Sequence, residues 1–212
     1  MNQHLIILFV VVPMLAGIAT IFIHRWRSAQ RILGLAALLA NVGLALWALG
    51  TVYNGPDHPA NILCSQMGNW PAPFGITIAV DPLAAMMLTI DAIVCLAVFI
   101  YCITQLGRHL EGGYFHPLFH LLIFGVQWSF ITGDLFNLFV AFEIMLMASY
   151  AMFVVSTSKP QIRQAYKYIL LNLLGSTLFV MCAGWIYGHL GTLNMADITR
   201  IVMAGELPTE CI

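Results

Sequence analysis

The residue best placed for chemistry in this sequence is Glu143, a carboxylate inside a long apolar run. The run covers residues 135–155, so Glu143 lies eight residues from one end and twelve from the other. A helix of this length crosses a bilayer, and a charge near its centre costs about 2.5–3.5 kcal/mol on insertion scales. Helical spacing places Glu143 on a stripe that should face protein or water, because lipid cannot solvate a carboxylate. The other members of this stripe are Phe136, Phe139 or Val140, Met147 and Tyr150.

A carboxylate at this depth has two interpretations. Burial favours the neutral acid and a cationic neighbour favours the anion, so a group that meets both environments in turn can bind and release a proton. On this interpretation Glu143 carries protons. The alternative is a structural carboxylate held in place by hydrogen bonds.

Three other side chains are candidates for a relay or a gate. Asp91 lies within another apolar run. It is either a second relay group or a side chain that hydrogen-bonds between packed helices. Lys167, at the mouth of a later run, is either an entry-gate cation or a charge that anchors and orients the chain. His120 follows His116 by one helical turn, and the pair is predicted to line a hydrated path or to lie at an interface. That spacing also suits a metal or haem, but no further ligands follow at motif spacing, so we predict no metal or cofactor.

The composition requires an apolar solvent around these groups. The 212 residues are 61% hydrophobic and only 8% charged, whereas a soluble chain carries about 25% charged residues. The formal net charge of −1 offers no basic patch for nucleic acid. The five cysteines show no disulfide framework, and the sequence contains no phosphate loop, nucleophile elbow or dinucleotide motif. An integral membrane protein that is not an enzyme is therefore predicted.

Six apolar runs are long enough, or nearly so, to span a bilayer. They predict an all-α polytopic fold with a single transmembrane region over residues 1–212. A β-rich stretch at 74–80 predicts a small hairpin on the outer surface between the second and third spans, and residues 193–204 predict a short amphipathic helix. Asp81 and Asp134 stand where N-caps of the third and fifth spans are expected. The predicted spans cover residues 5–23, 32–52, 83–106, 117–131, 135–155 and 168–187.

The cations predict which way the chain crosses the membrane. Seven of the eight lysines and arginines fall in alternate loops, at Arg25, Arg27, Arg31, Arg108, Lys159, Arg163 and Lys167. Only Arg200 falls on the other side. Since positive loops remain in the cytoplasm, the basic loops should be cytoplasmic and the N-terminus should be outside.

The block at 133–150, which reads GDLFNLFVAFEIMLMASY, resembles the D subunit of the multisubunit Mrp-type monovalent cation/proton antiporters. That protein family is related to the antiporter-like membrane subunits of respiratory complex I. Complex I subunits typically place a proline shortly after the glutamate, whereas IMLMASY follows Glu143 here, as in the Mrp D form. Shorter matches occur in the expected order, as WPAPFGI at 70–76, VDPL at 80–83, QAYKY at 164–168 and GTLNMA at 191–196.

The resemblance implies that Glu143 is the membrane glutamate of a proton path. In the family this glutamate is ion-paired with a lysine on the seventh span, whose movement lets the acid alternate between anion and neutral form. Proton movement is then coupled, through other subunits of the complex, to a monovalent cation, for which Na⁺ is favoured. The implied location is the plasma (inner) membrane of a prokaryote, with the chain embedded in the lipid bilayer.

Family members have more than twice as many spans, and the 212 residues stop before a seventh span and its lysine. The expectation is therefore the N-terminal portion of a longer protein. Two rival functions stay open. One is a proton-pumping subunit of a complex I-like NADH:quinone oxidoreductase or hydrogenase-linked complex, and the other is a scaffold subunit that transports nothing.

Overall fold

The computed structural model describes residues 2–55, 62–70, 72–105, 111, 114–154 and 159–205. These parts of the chain form seven α-helices, two short 3₁₀ helices and one pair of strands. The helices are α1 (Leu8–Phe22), α2 (Arg27–Asn54), α3 (Pro82–Gln105), α4 (Phe115–Ile131), α5 (Leu135–Val154), α6 (Lys159–Leu190) and α7 (Met195–Ala204). The strands are β1 (Leu63–Gln66) and β2 (Thr77–Val80), and the 3₁₀ helices are Asn2–Ile7 and Met67–Asn69.

Five segments within α1, α2, α3, α5 and α6 are long and apolar enough to cross a membrane. Helix α4 is a shorter apolar helix of 17 residues, about 25 Å long at 1.5 Å per residue. It ends at a tight turn, where the Thr132 backbone N–H still donates to Trp128 O, and α5 begins three residues later. The predicted all-α polytopic membrane fold with a small hairpin is confirmed.

Helix α6 begins earlier than the sequence predicted. It starts at Lys159 rather than near residue 168, because Pro160 occupies the first turn, where the missing N–H of proline costs no helical hydrogen bond. Arg163 and Lys167 therefore lie on the helix itself, beyond its most apolar stretch. Arg108, one of the seven cations used to predict orientation, lies outside the described residues.

Two clusters of buried side chains hold α1 to α4 together. The larger joins these helices to the hairpin and includes Phe9, Leu88, Ile78 and Ile131. The smaller lies toward the opposite end of the bundle and centres on Phe99 of α3. Its other members are Leu38, Phe115, Phe119 and Ile123.

Helix α5 packs closely on α4 through a glycine. A Cβ atom on Gly125 would lie 2.8 Å from the Met145 backbone nitrogen and 2.9 Å from the Ala141 carbonyl oxygen. The two backbones therefore approach at a distance that only glycine permits, as is common between membrane helices. This contact fixes which face of α4 is turned toward α5.

The hairpin, the α4–α5 turn and the start of α7 form one hydrogen-bonded junction. Strand β1 pairs with β2 in antiparallel register, with Leu63 opposite Val80. The Gly133 N–H donates to Thr77 O at 2.8 Å, and the Met195 N–H donates to Gly133 O at 2.9 Å. The two predicted N-caps are also present: Asp81 accepts from the Ala84 N–H at 2.6 Å, and Asp134 accepts from the Asn137 N–H at 2.8 Å.

Candidate functional site

Glu143 lies on α5 at the edge that faces α6. Phe139, one turn before it, stacks on Phe179 of α6 with ring centroids 6.2 Å apart. Tyr150, two turns after it, packs edge-on against Tyr168 of α6 at 5.3 Å. Since residues four and seven positions apart share a helix face, Glu143 belongs to the same contact surface.

The predicted stripe around Glu143 divides in two. Phe136 and Met147 were expected to face protein or water, but they are 51% and 62% exposed on the outside of the helix pair. Phe139 and Tyr150 are partly buried against α6. Glu143 itself is half-buried, at the border between the outward edge and the α6 contact. Helix α6 thus covers only one edge of the stripe, and the expectation that Phe136 and Met147 face protein or water stays a prediction.

A groove of about 250 Å³ runs between α5 and α6 beside this surface. At about 30 Å³ per water, it has room for several molecules. Asn172 and Ser176 of α6 supply its polar side chains, while the α5 wall is apolar. Glu143 Oε1 and Asn172 Nδ2 are both buried, and among the described residues neither atom has a hydrogen-bond partner. Leaving such groups unsatisfied costs roughly 1–3 kcal/mol each, so water or additional protein is required here.

Lys167 forms no ion pair with Glu143 in the described part of the chain. It is exposed on α6, five residues before Asn172, or about 7.5 Å along the helix axis. The ion pairs formed by the described residues involve Arg31, His116 and Arg200, and none includes Glu143 or Lys167. The gate assignment for Lys167 stays a prediction.

Asp91 lies on the other side of α4 from Glu143. Its Oδ2 accepts from Gln127 Nε2 of α4 at 3.1 Å, and its Oδ1 accepts from Cys95 Sγ at 3.4 Å. Gln127 is two residues from Gly125, so it projects from nearly the opposite face of α4 to the one that touches α5. Asp91 thus connects α3 to α4 through hydrogen bonds, and α4 separates it from Glu143.

His120 and His116 are fully buried on the face of α4 that carries Gln127. Both rings pack against Phe99, at centroid distances of 5.9 and 5.5 Å. Within the described ranges no group of three or more His, Cys, Asp or Glu side chains is arranged to hold a metal ion. The two histidines therefore sit among aromatic rings and the neighbouring polar groups of α4.

Glu111 is a buried acid that sequence reasoning missed. It accepts from Arg31 Nε and Nη2, both at 2.5 Å, and lies 3.4 Å from His116 Nε2. The hydrogen bonds from Arg31 hold the pKa of the Glu111 carboxyl below its ordinary value. In the sequence Glu111 stands in a polar connection beside other charges, so its spacing from His116 was the only available signal.

Comparison with known families agrees with this architecture. Residues 132–210 match the family described as NADH:quinone oxidoreductase/Mrp antiporter, TM. The chain is 36% identical to the D subunit of the Na⁺/H⁺ antiporter of Alkalihalophilus pseudofirmus over 205 residues, 97% of this chain and 40% of that protein. It is 38% identical to the D subunit of a probable K⁺/H⁺ antiporter of Rhizobium meliloti, over 96% of this chain and 38% of that protein. The chain thus spans about two fifths of the length of the curated relatives it matches.

Solved structures show the same fold. A chain of the Mrp complex from Dietzia sp. matches with a TM-score of 0.85 and 27% identity, over 93% of this chain and 36% of that one. The archaeal membrane-bound sulfane sulfur reductase matches with a TM-score of 0.82 and 26% identity, over 94% and 40%. Respiratory complex I from Thermus thermophilus shares the fold, with a TM-score of 0.68 at 21% identity over 91% and 38%. The resemblance to Mrp antiporter D subunits predicted from the sequence is confirmed.

Proposed function

We propose that this chain, similar to antiporter D subunits, is a proton-translocating membrane subunit of a multisubunit monovalent cation/proton antiporter, with Glu143 as the proton carrier. The observation that carries the proposal is the buried Oε1 of Glu143, which has no hydrogen-bond partner among the described residues. Its helical neighbours Phe139 and Phe142 line the groove between α5 and α6. A structural carboxylate would have its acceptors filled, as Asp91 does. The transported cation is Na⁺ or K⁺, since the two relatives bear these ions in their names.

Proton transport requires Glu143 to bind a proton in one environment and to release it in another. A proton enters through water in the groove and binds a carboxylate oxygen of Glu143, which makes the side chain neutral in its apolar surroundings. The proton leaves when a cationic group or a hydrated route stabilises the anion again. Asn172 and Ser176 hold the water that links the carboxylate to the groove. Other subunits of the complex couple this cycle to the cation.

The test is Glu143→Gln in cells that carry the complete antiporter complex. Glutamine keeps the size and polarity of the side chain but binds no proton, so tolerance to sodium and alkali should be lost while the protein remains in the membrane. The matched control is Asp197→Asn, which makes the same charge change on α7, outside the long helices. Full tolerance with Glu143→Gln contradicts the proton-carrier assignment and favours a scaffold.

A redox-linked proton pump is the second candidate, because the sulfane sulfur reductase chain matches nearly as well as the Mrp chain. The subunits that copurify with this chain separate the two functions. Antiporter subunits support the first proposal, whereas flavin or iron–sulfur subunits support the second. The sequence after Glu143 favours the antiporter.

We propose that the end bearing Arg25, Arg27 and Arg31 is cytoplasmic in a prokaryotic inner membrane, with the hairpin outside. Cys64 on β1 is exposed and serves as a natural probe of the hairpin side. In a Cys182→Ser background, since Cys182 of α6 is also exposed, a membrane-impermeant thiol reagent should label intact cells through Cys64, and adding Cys64→Ser should remove that labelling. Ser28→Cys, at the other end of the bundle and in the background with both substitutions, should react only after the cells are opened. The reverse pattern contradicts the orientation.

A further inference from the structure

Three buried polar side chains and one partly exposed arginine form a second group at the end of the bundle that carries the basic loops. This basic-end cluster consists of Arg31 on α2, Glu111, and His116 and His120 on α4. It lies on the face of α4 opposite Gly125, so α4 separates it from α5 and Glu143. None of its members takes part in the proposed function.

Glu111 is shared between a permanent cation and a titratable one. Arg31 donates two hydrogen bonds to its two carboxylate oxygens, and His116 Nε2 lies 3.4 Å from Oε1 without a hydrogen bond. The two partners differ in access to water. The Arg31 side chain is 40% exposed, whereas the side chains of Glu111 and His116 are 2% and 0% exposed. Arg31 is therefore able to leave for solvent, and His116 is not.

The ring nitrogens of both histidines are buried and lack hydrogen-bond partners among the described residues. Little space is left around them: a Cβ on Gly34 of α2 would lie 2.5 Å from Phe99 and 3.0 Å from His120 Nε2. A neutral imidazole has one N–H donor and one unprotonated nitrogen, and a proton on His116 Nε2 turns that nitrogen into a donor toward Glu111 Oε1, 3.4 Å away.

The other charged groups around His116 are few. Helix α1 has no titratable side chain between Leu8 and Phe22, and α2 contributes Arg31. Helix α3 contributes the partly buried Cys102, while its Asp91 is bound to Gln127 further along α4. On α4 itself the neighbour is His120, and Glu143, the one acid of α5, lies on the Gly125 side of α4. Glu111 is thus the only anion in contact with His116 in the described part of the chain.

We propose that Glu111 and His116 form a proton-binding site at the basic end of the bundle, in which protonated His116 competes with Arg31 for Glu111. A proton from the basic side binds Nε2 of neutral His116, and the new N–H donates to Glu111 Oε1. Arg31 gives up its two hydrogen bonds to the carboxylate and moves into water, so the site gains one proton and no other covalent bond changes. His120, one turn deeper, accepts the proton only when His116 is neutral, because two adjacent imidazolium ions repel each other.

The test is an NMR titration of the full chain in lipid nanodiscs, with ¹⁵N-labelled histidine and arginine. His116→Asn and His120→Asn identify the two signals. Arg31→Gln removes the competitor and frees Glu111, so His116 should protonate at higher pH, by about tenfold in proton affinity. Glu111→Gln removes the acceptor and should lower the proton affinity by a similar factor. Opposite signs show that His116 responds to both charges. Competition for Glu111 additionally requires that the Arg31 side-chain N–H signals lose their hydrogen-bonded shift over the same pH range in which His116 is protonated.

Two controls match these variants. Arg27→Gln removes an arginine one turn earlier on α2 and should leave the His116 titration unchanged. Glu143→Gln should also leave the His116 titration unchanged. The basic-end proton site and the Glu143 assignment can therefore be contradicted independently of each other.

Three outcomes overturn the proposal. The first is a His116 that stays neutral in wild type and in Arg31→Gln down to the pH at which helical circular dichroism is lost. The second is a shift of the same sign in both ion-pair variants. The third is a titration that neither variant moves. If Glu111→Gln does not fold, the upward shift in Arg31→Gln decides the question.

Discussion

The two regions on either side of α4 each contain a partly buried acid, and the two acids differ in their hydrogen-bond partners. On the α3 side, Asp91 has a partner for each oxygen, Gln127 and Cys95. On the α5 side, Glu143 Oε1 is buried and has no hydrogen-bond partner among the described residues. Depth in an apolar run is similar for the two acids, so the proposal of Glu143 rather than Asp91 as the proton carrier rests on their different hydrogen-bond partners.

The largest expected effect is on transport. In the complete complex, Glu143→Gln should reduce cation-driven proton movement in everted vesicles to the level of vesicles lacking the chain. Asp91→Asn should retain most of it, because the Asn carbonyl still accepts from Gln127 and fixes the same helix contact. Equal losses of proton movement in both variants would contradict the distinction between the two acids and indicate that Asp91 is a second relay group.

Helix α4 keeps the two acids apart, and its contact with α5 depends on Gly125. Gly125→Val would place a side chain within 3 Å of the α5 backbone, so we expect destabilisation by about 1–3 kcal/mol or more. The matched control is Gly175→Val on α6, where a Cβ meets nothing within 4 Å. Thermal unfolding in detergent, followed by circular dichroism, measures both. An unchanged melting temperature for Gly125→Val would mean that α4 and α5 do not approach this closely.

Removing the carboxylate of Asp91 and removing that of Glu143 should change the free energy of unfolding by different amounts. Asp91→Ala leaves Gln127 buried without its acceptor, and we expect a loss of roughly 1–3 kcal/mol. Glu143→Ala removes an oxygen that has no described partner, so the free energy of unfolding should fall less or even rise. The same unfolding assay compares them. A larger loss for Glu143→Ala than for Asp91→Ala would indicate that Glu143 is the structural acid.

The smallest effect concerns Glu111, whose partner is a charge. The pKa of Glu111 is lowered in the folded chain by hydrogen bonds from Arg31, so its stabilising contribution is present above the ordinary value of 4.5 and is lost as the pH falls through the lower folded value. Since Arg31 is 40% exposed, the contribution should stay below about 1 kcal/mol. Wild type should lose slightly more stability than Arg31→Gln between pH 6 and pH 3. Identical pH profiles would show that the pair adds no stability.

The parts of the fold that follow local rules were predictable from the sequence. The helices coincide with apolar runs, and both aspartate N-caps lie where a carboxylate precedes a helix. The candidate site was predictable only in part. The position of Glu143 on its helix follows from spacing, but the exposure of Phe136 and Met147 depends on how much of α5 is covered by α6. Glu111 was missed because its two partners, Arg31 and His116, come from α2 and α4.

The sequence by itself determined that the chain is a membrane protein, which segments are long and apolar enough to cross a bilayer, and that Glu143 stands deep within one of them. These properties depend on hydrophobicity and helical period, which are read from consecutive residues. Only the tertiary structure decided which acids have partners: Asp91 has Gln127, Glu111 has Arg31, and Glu143 Oε1 has none among the described residues. A hydrogen bond depends on the distance between side chains of different helices, and that distance exists only after the helices have packed.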